Sequence, residues 1–246
     1  MARQETKSRK TPATSFGSCP KTRVLLVDDH PIVREGLIRV LSEEPDLFVC
    51  GEAGDGRQAM QTIADLKPDV AIVDVSLDGS HGIDLVKNIS AQYPEVKVLM
   101  LSVHDESLYA ERAVRAGAKG YVMKTEPTEK LLQALRLVIQ GRIYLSQAYT
   151  LRVLNRFAGK DAEQTLTPIE TLSDRELEVL EMLGQGHRTR EIADQLHLSA
   201  KTIQTYREHL KDKLNLPDGV SLMRFAVQWS DSGEGAALAN VRRQQA

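Results

Sequence analysis

Between residues 23 and 140 the chain alternates five short, β-branched apolar runs with five amphipathic stretches. The runs lie near 24–27, 48–53, 70–74, 97–102 and 120–124, and the stretches near 31–42, 56–66, 82–92, 106–116 and 127–140. Strand and helix in strict alternation leave few folds. The crossovers are right-handed, the sheet is parallel, and helices cover both of its faces. Pro31 and Pro127 stand where a first helical turn tolerates proline, and Gly117 and Gly141 stand where helices stop.

Four of these runs end on polar side chains: Asp28 and Asp29, Asp74, Ser102, and Lys124. The carboxyl ends of strands in a doubly wound sheet open on one crevice, so three carboxylates, a hydroxyl and an ammonium are expected together. Clustered carboxylates repel one another unless a cation lies among them. Hard oxygen donors in small number suit Mg2+. Asp28, Asp29 and Asp74 are the candidate ligands, with the backbone carbonyl of Ser76 as a further one. An aspartate carboxylate can attack phosphorus to give an acyl phosphate. The metal, Lys124 and Ser102 can share the phosphoryl charge, and no general base is required. Asp74 ends the central strand and is assigned as nucleophile. His30 and His104 are read as structural or solvent-facing, not as ligands.

Outside this block the pattern changes. Residues 1–22 are read as a disordered basic tail; residues 1–23 hold six Lys or Arg against one acid. Residues 24–145 carry 13 basic and 19 acidic side chains, so the overall charge of −2 hides an acidic block. Residues 141–171 are a linker in which Leu151, Leu154 and Phe157 suggest a short helix. Two cysteines, Cys19 and Cys50, give no disulfide framework or zinc site, so a reducing cytoplasm is the default. Cys50 is read as a buried strand residue. No apolar run is long enough for a membrane span.

Residues 172–230 show helical periodicity only, and 231–246 read as a flexible tail. Ser173 and Glu176 have the spacing of a capping box. A helix from there to Gly184 is followed by one over Thr189–Leu196, a tight turn at His197-Leu198, and a helix from Ser199 to about Leu214. A fourth runs from Gly219 to Trp229. A short helix, a tight turn and a second helix make a helix-turn-helix. With Ile203, Leu210 and Leu214 inward, Lys201, Thr202, Gln204, Thr205, Arg207, Glu208 and Lys211 remain at or near the surface. Gln204 suits adenine and a Thr methyl suits thymine. Lys201, Tyr206, Arg207 and Lys211 suit phosphates. The acids Asp174, Glu176, Glu178 and Glu181 belong on a side away from DNA. A four-helix module that binds protein is the alternative.

Two resemblances sharpen these expectations. Residues 23–140 resemble the receiver domain of two-component response regulators, through Val27-Asp28-Asp29-His30-Pro31, Val73-Asp74, Leu101-Ser102 and Gly117-Ala118-Lys119-Gly120-Tyr121-Val122-Met123-Lys124. The resemblance implies a flavodoxin-like sheet of order 2-1-3-4-5 and phosphorylation of Asp74 by a histidine kinase. It also implies that Ser102 and Tyr121 form a switch pair, the hydroxyl moving to the phosphoryl group and the ring then turning inward. Two departures bear on phosphoryl lifetime: the loop Ser76–Ser80 lacks a proline common in the family, and Val103 stands where a smaller residue is usual.

Residues 172–230 resemble the LuxR-type helix-turn-helix domain, through Leu172-Ser173-Asp174-Arg175-Glu176-Leu177, Gly186, Glu191-Ile192-Ala193, Lys201-Thr202-Ile203 and His209-Leu210-Lys211-Asp212-Lys213-Leu214. Together the halves resemble a NarL/FixJ-type regulator. That implies Gln204, Thr205 and Glu208 at the bases, and a dimer contact through the fourth helix at Leu222, Met223 and Trp229. Those three residues would otherwise finish a small core.

The fold expected is α/β plus all-α: a five-stranded doubly wound sheet linked to a four-helix helix-turn-helix domain. The function expected is a cytoplasmic, aspartate-phosphorylated regulator of transcription with no other enzymatic activity. Its expected partners are a histidine kinase and double-stranded DNA, with RNA polymerase a further candidate and a homodimer formed on phosphorylation or DNA binding. The receiver is expected to restrain the recognition helix or keep the chain monomeric until phosphorylated. The rivals are a phosphorylation-independent regulator or protein-binding output, and a Mg2+-dependent phosphohydrolase. The last lacks its second acid, because Ser76 stands two residues after Asp74.

Overall fold

Short β-branched runs bounded by turn residues read as strands of a buried parallel sheet. The computed structural model, which describes residues 21–77, 80–157 and 168–231, shows this in its central sheet. Five parallel strands lie in the order β2-β1-β3-β6-β7: β1 Thr22–Val27, β2 Leu47–Ala53, β3 Val70–Val73, β6 Lys97–Ser102 and β7 Gly120–Met123. Two further strands, β4 Ser76–Leu77 and β5 Ser80–His81, form a separate antiparallel hairpin. With that hairpin set aside, the order is the expected 2-1-3-4-5. Thr22 pairs with Leu47 and so belongs to the sheet rather than to the basic tail.

Alternate residues of β1 point to opposite faces. Val24 and Leu26 pack with Leu41 of α1 (Pro31–Ser42) and with Leu131, Leu135 and Val138 of α5 (Thr128–Ile139). Leu25 and Val27 pack with Ile63 of α2 (Gly56–Leu66), Ile83, Val86 and Ile89 of α3 (Gly82–Gln92), and Ala110 and Ala113 of α4 (Glu106–Ala116). Asp55 and Asp105 cap α2 and α4 by accepting from Gln58 N and Ser107 N. Pro127 is the cap of α5 rather than a member of its first turn. Gly117 ends α4 with φ of +115°, and a Cβ there would lie 2.0 Å from Ser90 Oγ, so both backbone and space require glycine. Cys50 is half-buried, with burial pushing its thiol pKa up.

The linker holds one helix, α6 (Gln147–Phe157), on which Tyr149 is buried while Leu151 and Leu154 are exposed. A 3-10 turn at Pro168–Thr171 leads into four helices: α7 Asp174–Gly184, α8 Thr189–Gln195, α9 Ala200–Lys213 and α10 Gly219–Asp231. The Ser173–Glu176 capping box forms in both directions. His197 takes φ of +52° in the turn between α8 and α9, and Leu198 N donates to Ala193 O at 2.9 Å. Leu177, Leu180, Ile192, Ile203, Leu210, Leu222 and Trp229 make the core. The basic tail to residue 20, the connector at 159–164 and the tail from residue 232 lie outside the described residues.

Candidate functional site

β1 and β3 are neighbours, so the residues that follow them emerge side by side. Asp74 N donates to Val27 O at 2.9 Å. Asp28 and Asp74 are 3% and 4% exposed. Lys124, one residue past β7, reaches back between them: its Nζ lies 2.6 Å from Asp28 Oδ2 and 2.6 Å from Asp74 Oδ2. The other Asp74 oxygen accepts from Val75 N at 2.7 Å. Gly82 N donates to Val75 O, and a Cβ on Gly82 would fall 1.9 Å from Asp74 O. Only glycine lets α3 begin this close to the acid.

The charge at this site does not balance. Burial pushes the Asp74 carboxyl pKa up; Lys124 opposes the shift, and Asp28 adds to it. Burial works against the Lys124 charge but is outweighed by Asp74 and Asp28, so its pKa rises. The two shifts agree physically: one ammonium is shared by two carboxylates, and a net negative charge is left. Asp29 Oδ1 is buried and accepts no hydrogen bond, although His30 Nδ1 lies 2.7 Å away. Ligand atoms from Asp28, Asp29, His30 and Asp74 all lie within 4.8 Å of one another, the one such cluster among the described residues. Surplus negative charge, an oxygen without a donor and this spacing fit a hard divalent cation. His30 is thus both largely exposed and part of the cluster, which its sequence position beside the acids did not decide.

Ser102 is fully buried, and its Oγ accepts from His104 N at 3.2 Å. Tyr121 is 1% exposed, and its hydroxyl donates to His104 O at 2.8 Å. The ring is therefore already inward, and burial pushes its phenol pKa well up. Ser76, at the start of β4, places its Oγ 2.9 Å from His104 Nε2.

On α9, Lys201, Gln204, Thr205 and Glu208 are exposed, and Thr202, Tyr206, Arg207 and Lys211 are half-buried. Gln204 Nε2 donates to Glu208 Oε1 at 2.9 Å, and Lys211 Nζ sits 2.6 Å from Glu208 Oε2. Arg207 NH1 donates to Thr189 Oγ1 at 2.7 Å, tying α9 to α8. On α10, Leu222 and Trp229 are buried in the domain's own core, and Met223 is half-buried. The side of α10 that faces solvent carries Val220, Arg224 and Val227 instead.

Residues 24–136 match the family model of the response regulator receiver domain, and residues 170–226 match that of the bacterial regulatory proteins of the luxR family. A curated relative, the oxygen regulatory protein NreC of Staphylococcus carnosus, is 35% identical over 210 residues, covering 84% of this chain and 97% of its own. The chain belongs to the two-component response regulators of the NarL type. RcsB of Salmonella enterica serovar Typhimurium, bound to promoter rprA with the phosphomimetic BeF3−, superposes with a TM-score of 0.57 at 25% identity. That match covers 83% of this chain and 98% of the RcsB chain. A LuxR-family response regulator from Aurantimonas sp. SI85-9A1 is 32% identical with a TM-score of 0.53, covering 56% of this chain and 99% of its own. Regulators of this family control transcription and are not a class of enzymes, and their receiver domains imply a histidine kinase partner. Among the described residues no helix is long and apolar enough to cross a membrane.

In this response regulator the first helix of the DNA-binding domain packs on the receiver. Glu181 of α7 lies 2.8 Å from His104 Nδ1 and accepts from the Tyr109 hydroxyl at 3.0 Å. Ser76 Oγ donates to Glu178 Oε1 at 3.4 Å, and Glu178 is held by Arg175 at 2.7 Å. Arg112 of α4 bonds Asp174 at 3.0 Å and Leu172 O at 2.6 Å. Burial drives the His104 pKa down, but the Glu181 hydrogen bond and charge, with Asp74 and Glu178 behind them, raise it overall. Sequence pattern alone missed this set. Glu178 and Glu181 look like a solvated acidic face, and nothing local marks His104 as their partner.

Proposed function

We propose that this response regulator is a cytoplasmic transcription factor switched by phosphoryl transfer to Asp74. The observation that carries the reading is the Lys124 ammonium shared between Asp28 and Asp74 at 2.6 Å. It holds one Asp74 oxygen at the mouth of the strand ends while Val75 N–H fixes the other. The carboxylate oxygen that faces Lys124 attacks the phosphorus of a kinase phosphohistidine. An O–P bond forms, the P–N bond breaks, and the electron pair leaves with the imidazole.

Lys124 then follows the negative charge from the carboxylate to a phosphoryl oxygen. The Ser102 hydroxyl donates to another phosphoryl oxygen, giving up its contact with His104 N. Asp28, Asp29 and Asp74, with the Ser76 carbonyl, would hold Mg2+, which when bound neutralises phosphoryl charge during transfer. The inward Tyr121 ring is compatible with the state that follows.

The output is sequence-specific binding of double-stranded DNA by α9. Gln204, Thr205 and Glu208 lie on the face that would meet bases, and Lys201, Thr202, Tyr206, Arg207 and Lys211 would meet the backbone. The exposed side of α10 is the surface left for pairing two DNA-bound copies, and RNA polymerase is a further partner. The test is labelling by acetyl phosphate in Mg2+, read by intact mass, with DNA binding followed in parallel. The wild type gains one phosphoryl group and binds DNA more tightly. Asp74→Ala gains none, and a variant that still responded to the phosphodonor would overturn the reading.

A further inference from the structure

Several contacts join the two domains, and one of them, at His104, also reaches Ser102 and Tyr121. His104 makes four hydrogen bonds or ion pairs, and each leads somewhere different. Its backbone N–H donates to Ser102 Oγ at 3.2 Å. Its carbonyl accepts from the Tyr121 hydroxyl at 2.8 Å. Its Nε2 meets Ser76 Oγ at 2.9 Å, and its Nδ1 meets Glu181 of α7 at 2.8 Å. Ser76 follows Asp74 by two residues, Ser102 ends the neighbouring strand β6, Tyr121 lies on β7 beside it, and Glu181 belongs to the DNA-binding domain. The His104 side chain is 15% exposed and that of Glu181 is 6% exposed, so water screens the pair poorly.

We propose that His104, clamped to Glu181, couples the state of Asp74 to the position of the DNA-binding domain. This inference rests on Asp74 being the phosphoacceptor. A phosphoryl group on Asp74 draws the Ser102 hydroxyl away from His104 N, so one of the bonds that place the residue 103–105 segment is lost. The imidazole moves with that segment. Glu181 cannot exchange its partner for water where it lies: its Oε1 is buried without a hydrogen bond, and only Tyr109 and His104 meet its other oxygen. A buried carboxylate that loses a hydrogen-bond partner it cannot replace is unfavourable, so α7 either follows His104 or leaves the receiver.

The receiver does not work by covering the recognition helix. Lys201, Gln204, Thr205 and Glu208 stay exposed while α7 is docked. The clamp therefore sets the orientation in which α9 is presented, which governs how two copies fit paired half-sites. Coupling of this kind is reciprocal. The factor by which a phosphoryl mimic changes DNA affinity equals the factor by which DNA changes affinity for the mimic, and is on the order of 5–150-fold for coupled sites.

The experiment uses the full chain, Mg2+ and BeF3− as reversible mimic. It measures DNA affinity with and without BeF3−, and BeF3− affinity by calorimetry with and without DNA. The wild type should show the same factor, about tenfold, in both directions. Glu181→Ala should still bind BeF3− and DNA, each without responding to the other, so both factors fall to about one. Glu181→Gln, which keeps an acceptor for His104, should recover part of the factor and covers the case in which the alanine variant does not fold. Tyr109→Phe, which removes the other partner of Glu181, should leave it largely intact. Coupling that survives unchanged in the Glu181 variants overturns the proposal alone. No BeF3− binding by the wild type overturns the phosphoacceptor reading and this inference with it, and binding that leaves DNA affinity unchanged overturns this inference alone.

Discussion

The Lys124 ammonium lies as close to Asp74 as to Asp28, 2.6 Å from an oxygen of each. One positive charge between two buried negative ones holds the acids together without neutralising them. The arrangement is stable enough to exist and charged enough to attract a second cation.

Lys124→Met keeps the length of the side chain and removes the charge. Both carboxylates are then buried without a cation, and breaking a buried pair this way is worth about 3 kcal/mol. Chemical unfolding of the receiver in EDTA should show a loss of that order, and Mg2+ should restore more stability to the variant than it adds to the wild type. Phosphoryl uptake from acetyl phosphate should fall as well. Equal stability in EDTA would show that Lys124 does not compensate Asp28 and Asp74 in solution.

Asp29→Asn tests the oxygen that has no hydrogen-bond donor. In the wild type that oxygen is buried, with the largely exposed His30 imidazole 2.7 Å away, so an amide in its place weakens a candidate metal ligand at the cost of no more than that surface contact. Calorimetric Mg2+ affinity should drop at least about tenfold, the factor that 1.4 kcal/mol represents, with the melting temperature in EDTA unchanged or raised. A large drop in melting temperature in EDTA would mean that Asp29 is structural.

Glu176 gives a pH prediction with a definite sign. It closes the capping box on Ser173 N at 2.7 Å and meets Lys213 Nζ at 2.6 Å. Burial raises its pKa, but Lys213 and Ser173 overcome this and leave it below the ordinary 4.5. A depressed folded pKa means stabilisation that is present above the unfolded value and lost as pH falls through the folded one. Trp229, the chain's single tryptophan, is buried in this domain and reports its unfolding by fluorescence. The wild type should be more stable than Glu176→Gln at pH 7, and the gap should close below pH 4.5. A gap that stayed constant down to pH 3 would exclude the charge as its source.

The parts legible in the sequence were those governed by local rules. Asp28, Asp29, Asp74 and Lys124 could be grouped because parallel strands bring their carboxyl ends to one edge. The capping box at Ser173 and the turn at His197 needed only neighbours in the chain. Strands β4 and β5 were not legible, because two-residue strands carry no periodicity. Leu222 and Trp229 presented an apolar face that suits a partner helix or a core equally, and packing against α7 made it core. His104 and Glu181 are the plainest case. Their pairing joins positions in separate domains, and only tertiary structure turns an exposed-looking acid into a buried one.

The exposed face of α9 separates two kinds of contact. Gln204 and Glu208 are hydrogen-bonded to each other at 2.9 Å, so Gln204 reaches a base only by releasing Glu208, which Lys211 still holds at 2.6 Å. Gln204→Ala should weaken binding to the preferred site by about 1–3 kcal/mol and relax the preference at one base pair. Lys201→Ala should weaken binding to all sequences alike and reduce the slope of log affinity against log salt by about one. Competition and salt titration on one selected site and one unrelated duplex measure both. If Lys201→Ala changed sequence preference while Gln204→Ala changed only the salt slope, α9 would lie in the groove in a different rotation from the one its exposed residues indicate.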